Sequence, residues 1–300
     1  MSASGFIGNP NTVGGYLAAA IPLSLSALLL RRPGWMPFLG FGSLLAMGLG
    51  IGFNQTLTAA VSAVFSVFVF FLALYLGPGV IKRRLVIAII VVGVAMGIFL
   101  ITAHPMKARI ATFKEHWKEA NWNLIVSNRP FIWWLTLKMI EDRPLLGGGL
   151  GTFSYRAVPY QAFMLPRLSR DFSLYPLIYP LFITPHSEYL QIGAEAGIPG
   201  MAAAGWLLVA IVLLGWRSVR QFRQHPQSRA LNRSPSGSKG GDVYHDYLLM
   251  IGFAGAIIVS AVESFTHFYF HIAPSALLSV TALGLWVVIL HDNSDKGPDD

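Results

Sequence analysis

The chain has 300 residues, 54% of them hydrophobic and only 12% charged, with a mean hydropathy of +0.56. Soluble domains carry roughly 25% charged residues, so this composition is that of a polytopic membrane protein. A net charge of +8 does not indicate nucleic acid as a partner, because twelve of the 22 basic residues flank apolar runs in short loops and a tail, where membrane proteins keep them. With no cysteine, disulfides and thiol catalysis are excluded.

Residues 1–12 lack a basic n-region, and the first apolar run has no cleavage site followed by a soluble chain, so no signal peptide is expected. Twelve uncharged residues leading directly into a span read as the interior of a longer chain. Seven apolar runs approach the ~20 residues needed to cross a hydrocarbon core. They are 13–30, 35–53, 57–76, 85–103, 198–216, 247–265 and 273–290. Runs this long are helices rather than barrel strands, so the expected fold is all-α, a bundle of about seven transmembrane helices with one large helical extracytoplasmic loop.

Orientation follows from the short loops. Arg31 and Arg32 follow the first span, Lys82, Arg83 and Arg84 the third, and Arg217, Arg220, Arg223, Arg229, Arg233 and Lys239 the fifth. All three clusters fall on one side, which the positive-inside rule makes the cytoplasm. The amino terminus and the long tract 104–197 then face outward, and the tail ends in the cytoplasm. Three segments result: an amino-terminal bundle of four spans (1–103), the outer tract (104–197), and a carboxyl-terminal bundle of three spans (198–300). The last contains a Ser/Gly/Pro/Arg-rich cytoplasmic loop within 217–246.

Within the tract, Met106, Ile110, Phe113, Trp117, Ala120 and Leu124 recur at intervals of three and four, which predicts an amphipathic helix. Such a helix lies on the outer leaflet or packs on the bundle. A second helix is expected to start after Ser127 or Asn128, with Pro130 in its first turn and a stop before Pro144. Leu146-Gly147-Gly148-Gly149-Leu150-Gly151 follows, a turn that permits positive φ; Gly147 and Gly149 are candidates for a phosphate cradle or simply for turn geometry. It is neither a P-loop nor a dinucleotide-binding turn. Glu263, His267 and His271 are spaced four apart near the outer end of the sixth span, where they form a polar wall, a metal site or ordinary bundle packing.

Taken in order, three stretches resemble the O-antigen ligase and polymerase family of bacterial inner-membrane proteins. They are Arg129-x3-Trp133, then 139–153 (MIEDRPLLGGGLGTF), then His186-Ser187-Glu188-Tyr189-Leu190-Gln191 continuing to Gly200. Asn9-Pro10-Asn11 also looks like the family's Pro-Asn lead into a helix. The resemblance covers nearly the whole chain but the carboxyl-terminal part of the family. It implies a glycosyltransferase that needs no metal or other cofactor and moves a glycan from undecaprenyl diphosphate to an acceptor, lipid A core or another glycan, on the periplasmic face. Its partners would be the lipid-linked glycan, the acceptor and membrane lipids. A polymerase of the same family, a transporter and a non-catalytic membrane partner are the alternatives.

His186 matches the family's motif histidine, proposed to activate the acceptor hydroxyl, and an imidazole titrating near neutrality suits that task. The competing reading is a histidine hydrogen-bonded at a helix start. Arg129 matches an arginine suited to hold diphosphate oxygens through paired hydrogen bonds; otherwise it pairs with Glu141, Asp142 or Glu188. Arg143 and Arg156 are secondary phosphate candidates. Glu188 and Glu195, seven apart, fall on one face of a continuous helix and could orient His186 or bind sugar hydroxyls, or Glu195 could support the neighbouring loop. One departure stands out: the family's further diphosphate arginine, expected near 52–58, is missing from Gly52-Phe53-Asn54-Gln55-Thr56-Leu57-Thr58.

Overall fold

The computed structural model describes residues 10–30, 34–54, 56–77, 93, 111, 114–115, 117–118, 129–171, 184–224, 238–265, 267 and 273–295. Among these the elements are all helices: α1 (Pro10–Leu29), α2 (Met36–Asn54), α3 (Leu57–Leu76), α4 (Arg129–Asp142), α5 (Phe153–Asp171), α6 (Glu188–Gln224), α7 (Ser238–Glu263) and α8 (Ala273–Asp295). Six of them, α1, α2, α3, α6, α7 and α8, are long and apolar enough to cross a membrane. They correspond to six of the seven expected spans. The remaining span, 85–103, and most of the amphipathic helix at 106–124 lie outside the described residues. The sixth span was expected to reach Phe265, but its helix stops at Glu263.

The chain divides into two compact units. One comprises Met1–Ala108, Ile211–Glu263 and His271–Asp300; the other comprises Arg109–Ala210 and Ser264–Phe270. In the first unit, α1 is wedged among α2, α3 and α7 because small residues let backbones approach. A side chain at Gly14 would overlap Ala59 of α3, and one at Gly252 of α7 would overlap the Ser26 hydroxyl. Serines tie the same helices: Ser26 Oγ donates to the Leu248 carbonyl at 2.7 Å and Ser66 Oγ to the Ala18 carbonyl at 2.6 Å. Phe70, Tyr247, Leu248, Met250, Ile251 and Trp286 fill the core. The outer faces carry exposed Phe38, Phe41 and Phe53, as expected of surfaces that meet lipid.

The stretch 52–58, where an arginine was sought, is the joint between α2 and α3. Thr56 caps α3, accepting from the Ala59 amide at 3.4 Å, and Thr58 Oγ1 donates to Asn11 Oδ1 of the Pro-Asn element at 3.1 Å. Polar side chains here close a helix–helix joint.

The second unit has its own core. On α4, Phe131, Ile132, Leu135, Thr136, Met139 and Ile140 are buried at intervals of three and four, which gives one helix face. They pack with Phe153 and Ala157 of α5 and Ala194 of α6. The sequence analysis made no assignment for α5, which carries Pro159 and Pro166. It forms because Phe153, Ala157 and Gln161 present one buried face to that core and because its first turn is capped from elsewhere in the chain.

Candidate functional site in the second unit

The site is assembled on the start of α4 and on the short segment ahead of α6. Arg129 opens α4, where Pro130 costs nothing because first-turn amides have no helical acceptor. One turn later, Trp133 Nε1 donates to the Pro185 carbonyl at 3.1 Å, so the Arg129-x3-Trp133 element holds the His186 segment against α4. The next residue, His186, has φ of 51°, a left-handed conformation uncommon outside glycine. Ser187 then starts α6, its carbonyl accepting from the Gln191 amide at 3.0 Å and its hydroxyl more loosely from Leu190 at 3.5 Å.

A third strand of chain reaches the same place. The Glu188 amide donates to the Ser264 carbonyl at 2.9 Å, and the rings of Tyr189 and Phe265 meet at 4.4 Å. These contacts hold the start of 264–270, and His267 is buried there with 1% of its surface exposed. Removal from water lowers the pKa of His186, and the positive charge of Arg129 lowers it further. For His267 the same removal from water, then Arg129 and His186, lowers the pKa to about 3. At neutral pH both imidazoles are uncharged, and His186, half-buried, can accept a proton.

Beside this cluster the glycine turn is locked to α6. Gly147 has φ of 63° and its amide donates to the Arg143 carbonyl at 3.0 Å; Gly148 and Gly149 donate to the carbonyls of Ala194 and Glu195 at 2.8 and 2.9 Å. The Glu195 carboxylate is buried and accepts from the Gly151 amide at 2.9 Å, the Phe153 amide at 3.2 Å and Gln191 Nε2 at 3.2 Å. An anion thus caps the amino end of α5 from 42 residues away. The amides of Gly147, Gly148, Gly149 and Gly151 are all donated to protein oxygens, the pattern of a closed turn. Glu195 likewise holds the loop through these bonds.

The other candidates fall as follows. Glu188 is buried at the first position of α6, two turns before Glu195 on a helix that is continuous up to Gly197, whose φ of 72° breaks it. Of the acids considered as partners for Arg129, Glu141 pairs with Lys138 and Asp142 accepts from the Tyr160 hydroxyl. Burial, then that carboxylate, raises the pKa of Tyr160, while Arg156 and Arg143 act on it in the opposite sense. Arg143 and Arg156 therefore share the Tyr160–Asp142 neighbourhood, and the Arg156 guanidinium also lies over Gly148. Glu263 belongs to the first unit, where it accepts from Ser62 and faces Gly15, and His271 lies outside the described residues.

Sequence reasoning did not give Trp133 a task, although its spacing of one turn from Arg129 was a usable signal. It grouped His267 with Glu263 and His271 as a polar wall, a metal site or packing, whereas folding puts His267 within the electrostatic reach of Arg129 and His186 and Glu263 in the other unit.

Comparison with known proteins bears on the same residues. No curated protein matches the chain. A protein-family model described as O-antigen ligase matches residues 42–205, more than half of the chain, running from α2 through Arg129, the glycine turn and His186 into α6. A multi-pass membrane helix bundle carrying that match over its motif region belongs to the O-antigen ligase family.

Proposed function

We propose that the protein is a lipid-linked glycan transferase acting on the periplasmic face of the bacterial inner membrane, with undecaprenyl-diphosphate glycan as donor and a hydroxyl of lipid A core or of another glycan as acceptor. His186 removes the proton from the acceptor hydroxyl as its oxygen attacks the anomeric carbon. The bond from that carbon to the diphosphate breaks, and undecaprenyl diphosphate leaves with its developing charge held by Arg129. His186 then releases the proton to solvent. No metal is required, since the cation opposite the leaving group is a guanidinium.

The observation that carries this reading is the pairing of a neutral, half-buried His186 with the positive field of Arg129, held by Trp133 and by α6. Arg143 and Arg156 are reserved for the more distant phosphate or the glycan, and Glu188 for orienting the His186 segment. The basic loops support a periplasmic site and a cytoplasmic carboxyl terminus. Replacing His186→Ala and Arg129→Ala in cells that display a ligated surface glycan tests it. Both variants are expected to lose transfer while remaining in the membrane at parental levels; parental transfer by both would end the enzymatic reading. Whether the product is capped lipid A core or a longer glycan separates ligase from polymerase.

A further inference from the structure

The glycine turn presents its leucines outward. Leu145, Leu146 and Leu150 are 70%, 85% and 83% exposed, whereas Gly147 between them is buried against Glu195 and Ala196. Three large apolar side chains exposed within six residues of chain call for a partner that is itself apolar.

Their position along α6 identifies that partner. The turn is fixed to α6 where the helix changes character: the Ile198 amide donates to the Pro144 carbonyl at 2.7 Å, and a side chain at Gly197 would come within 2.6 Å of the Leu145 carbonyl. Before this level the helix is packed, with Glu188, Gln191, Gly193, Ala194, Glu195 and Gly197 buried. From Ile198, itself 54% exposed, it shows apolar side chains outward through Trp206, Leu207, Val209, Val212 and Leu213. The stretch 198–216 contains 19 residues and is followed by Arg217 and Arg220, the latter over the Trp216 ring. At 1.5 Å per residue it spans about 28 Å, close to the ~30 Å hydrocarbon core, so Ile198 marks one boundary of the bilayer, the outer one in the orientation proposed above. Arg143 and Arg156 flank the turn and suit the phosphates found at that depth.

We infer that the Leu145–Leu150 turn is a membrane-interface anchor, its leucines inserted among the lipids of the outer leaflet at the level where α6 enters the hydrocarbon. This ties the unit that carries the Arg129–His186 segment to the outer leaflet through its glycine turn, and it depends on neither the sugar nor the acceptor.

The absence of cysteine makes the test direct. Single Leu146→Cys, Leu150→Cys, Ile198→Cys and Glu141→Cys variants of the full chain are spin-labelled and reconstituted in phosphatidylethanolamine–phosphatidylglycerol vesicles. Collision with oxygen is compared with collision with a water-soluble nickel chelate. Labels at 146 and 150 are expected to favour oxygen at least as strongly as at 198, with several-fold less access to nickel than the exposed site at 141. Nickel access equal to that at 141 would overturn the inference by placing the turn in water. Protection from both reagents would overturn it equally, by placing protein over the turn. Because the leucine side chains are exposed, the labelled variants should unfold at the parental temperature, which is checked alongside.

Discussion

The indole N–H of Trp133 donates to the carbonyl of Pro185 at 3.1 Å, so the helix that carries Arg129 also sets where the following His186 begins. One turn of α4 therefore supplies both the cation and the clamp. Trp133→Phe keeps an aromatic ring, though a smaller one, and removes the donor, at a cost of about 1 kcal/mol for the lost hydrogen bond. Transfer should drop more than stability does, by about 10- to 100-fold, because a base misplaced by a fraction of an ångström loses most of its advantage. Turnover and thermal unfolding in detergent, measured on the same preparation, separate the two effects; a parallel small loss in both would make Trp133 mere packing.

Glu195 caps α5 from across the unit. In Glu195→Ala the Phe153 amide, in a buried position, loses its acceptor along with Gly151 and Gln191, and the expected loss is about 2–4 kcal/mol. Glu195→Gln retains one carbonyl oxygen for Phe153 and Gln191 but turns its NH2 toward the Gly151 amide, so it should recover only part of the loss. Thermal unfolding of the two variants gives the order directly.

Two glycines with nearly the same φ should respond very differently to alanine. Gly151 has φ of 73° with open space around it, whereas Gly197 has φ of 72° with the Leu145 carbonyl 2.6 Å from any Cβ. Gly151→Ala should cost about 1 kcal/mol for its left-handed backbone. Gly197→Ala adds a collision with main chain and should cost about 3 kcal/mol or more, seen as lost yield of folded protein.

On the proposed mechanism the acid side of the pH profile of transfer is set by His186. His186 is held below its ordinary 6.5 by burial and then by Arg129, so protonation, and loss of its capacity as a base, should come only below that pH. In Arg129→Gln the opposing charge is gone, and the acid limb of the residual activity should move to higher pH. His267 bears on stability instead. Its folded pKa is about 3, against 6.5 when unfolded, so between these values the unfolded chain binds the extra proton. Stability is complete above pH 6.5 and falls on acidification by about 1 kcal/mol per pH unit. Thermal unfolding at pH 7 and pH 5 should differ less in His267→Gln than in the parent.

What could be read in advance was whatever a segment decides for itself. The α3 bounds coincide with the apolar run 57–76, and α4 starts and stops around Pro130 and Pro144 as its flanking prolines require. The site was legible as separate motifs and illegible as an arrangement. Nothing local says that the carboxylate of Glu195 reaches the first turn of α5, that Trp133 reaches Pro185, or that His267 arrives beside Arg129. For α5 the sequence held no expectation at all; it forms through the packing of Phe153, Ala157 and Gln161 despite Pro159.

The φ of 51° at His186 means that the backbone there would be served better by glycine or asparagine than by most other residues. A library of position-186 variants selected for folding alone should drift toward Asn and Gly, whereas selection for glycan transfer should return histidine. The difference between those two enrichments would measure, at one position, how much robustness the fold gives up to keep an imidazole at the mouth of its site.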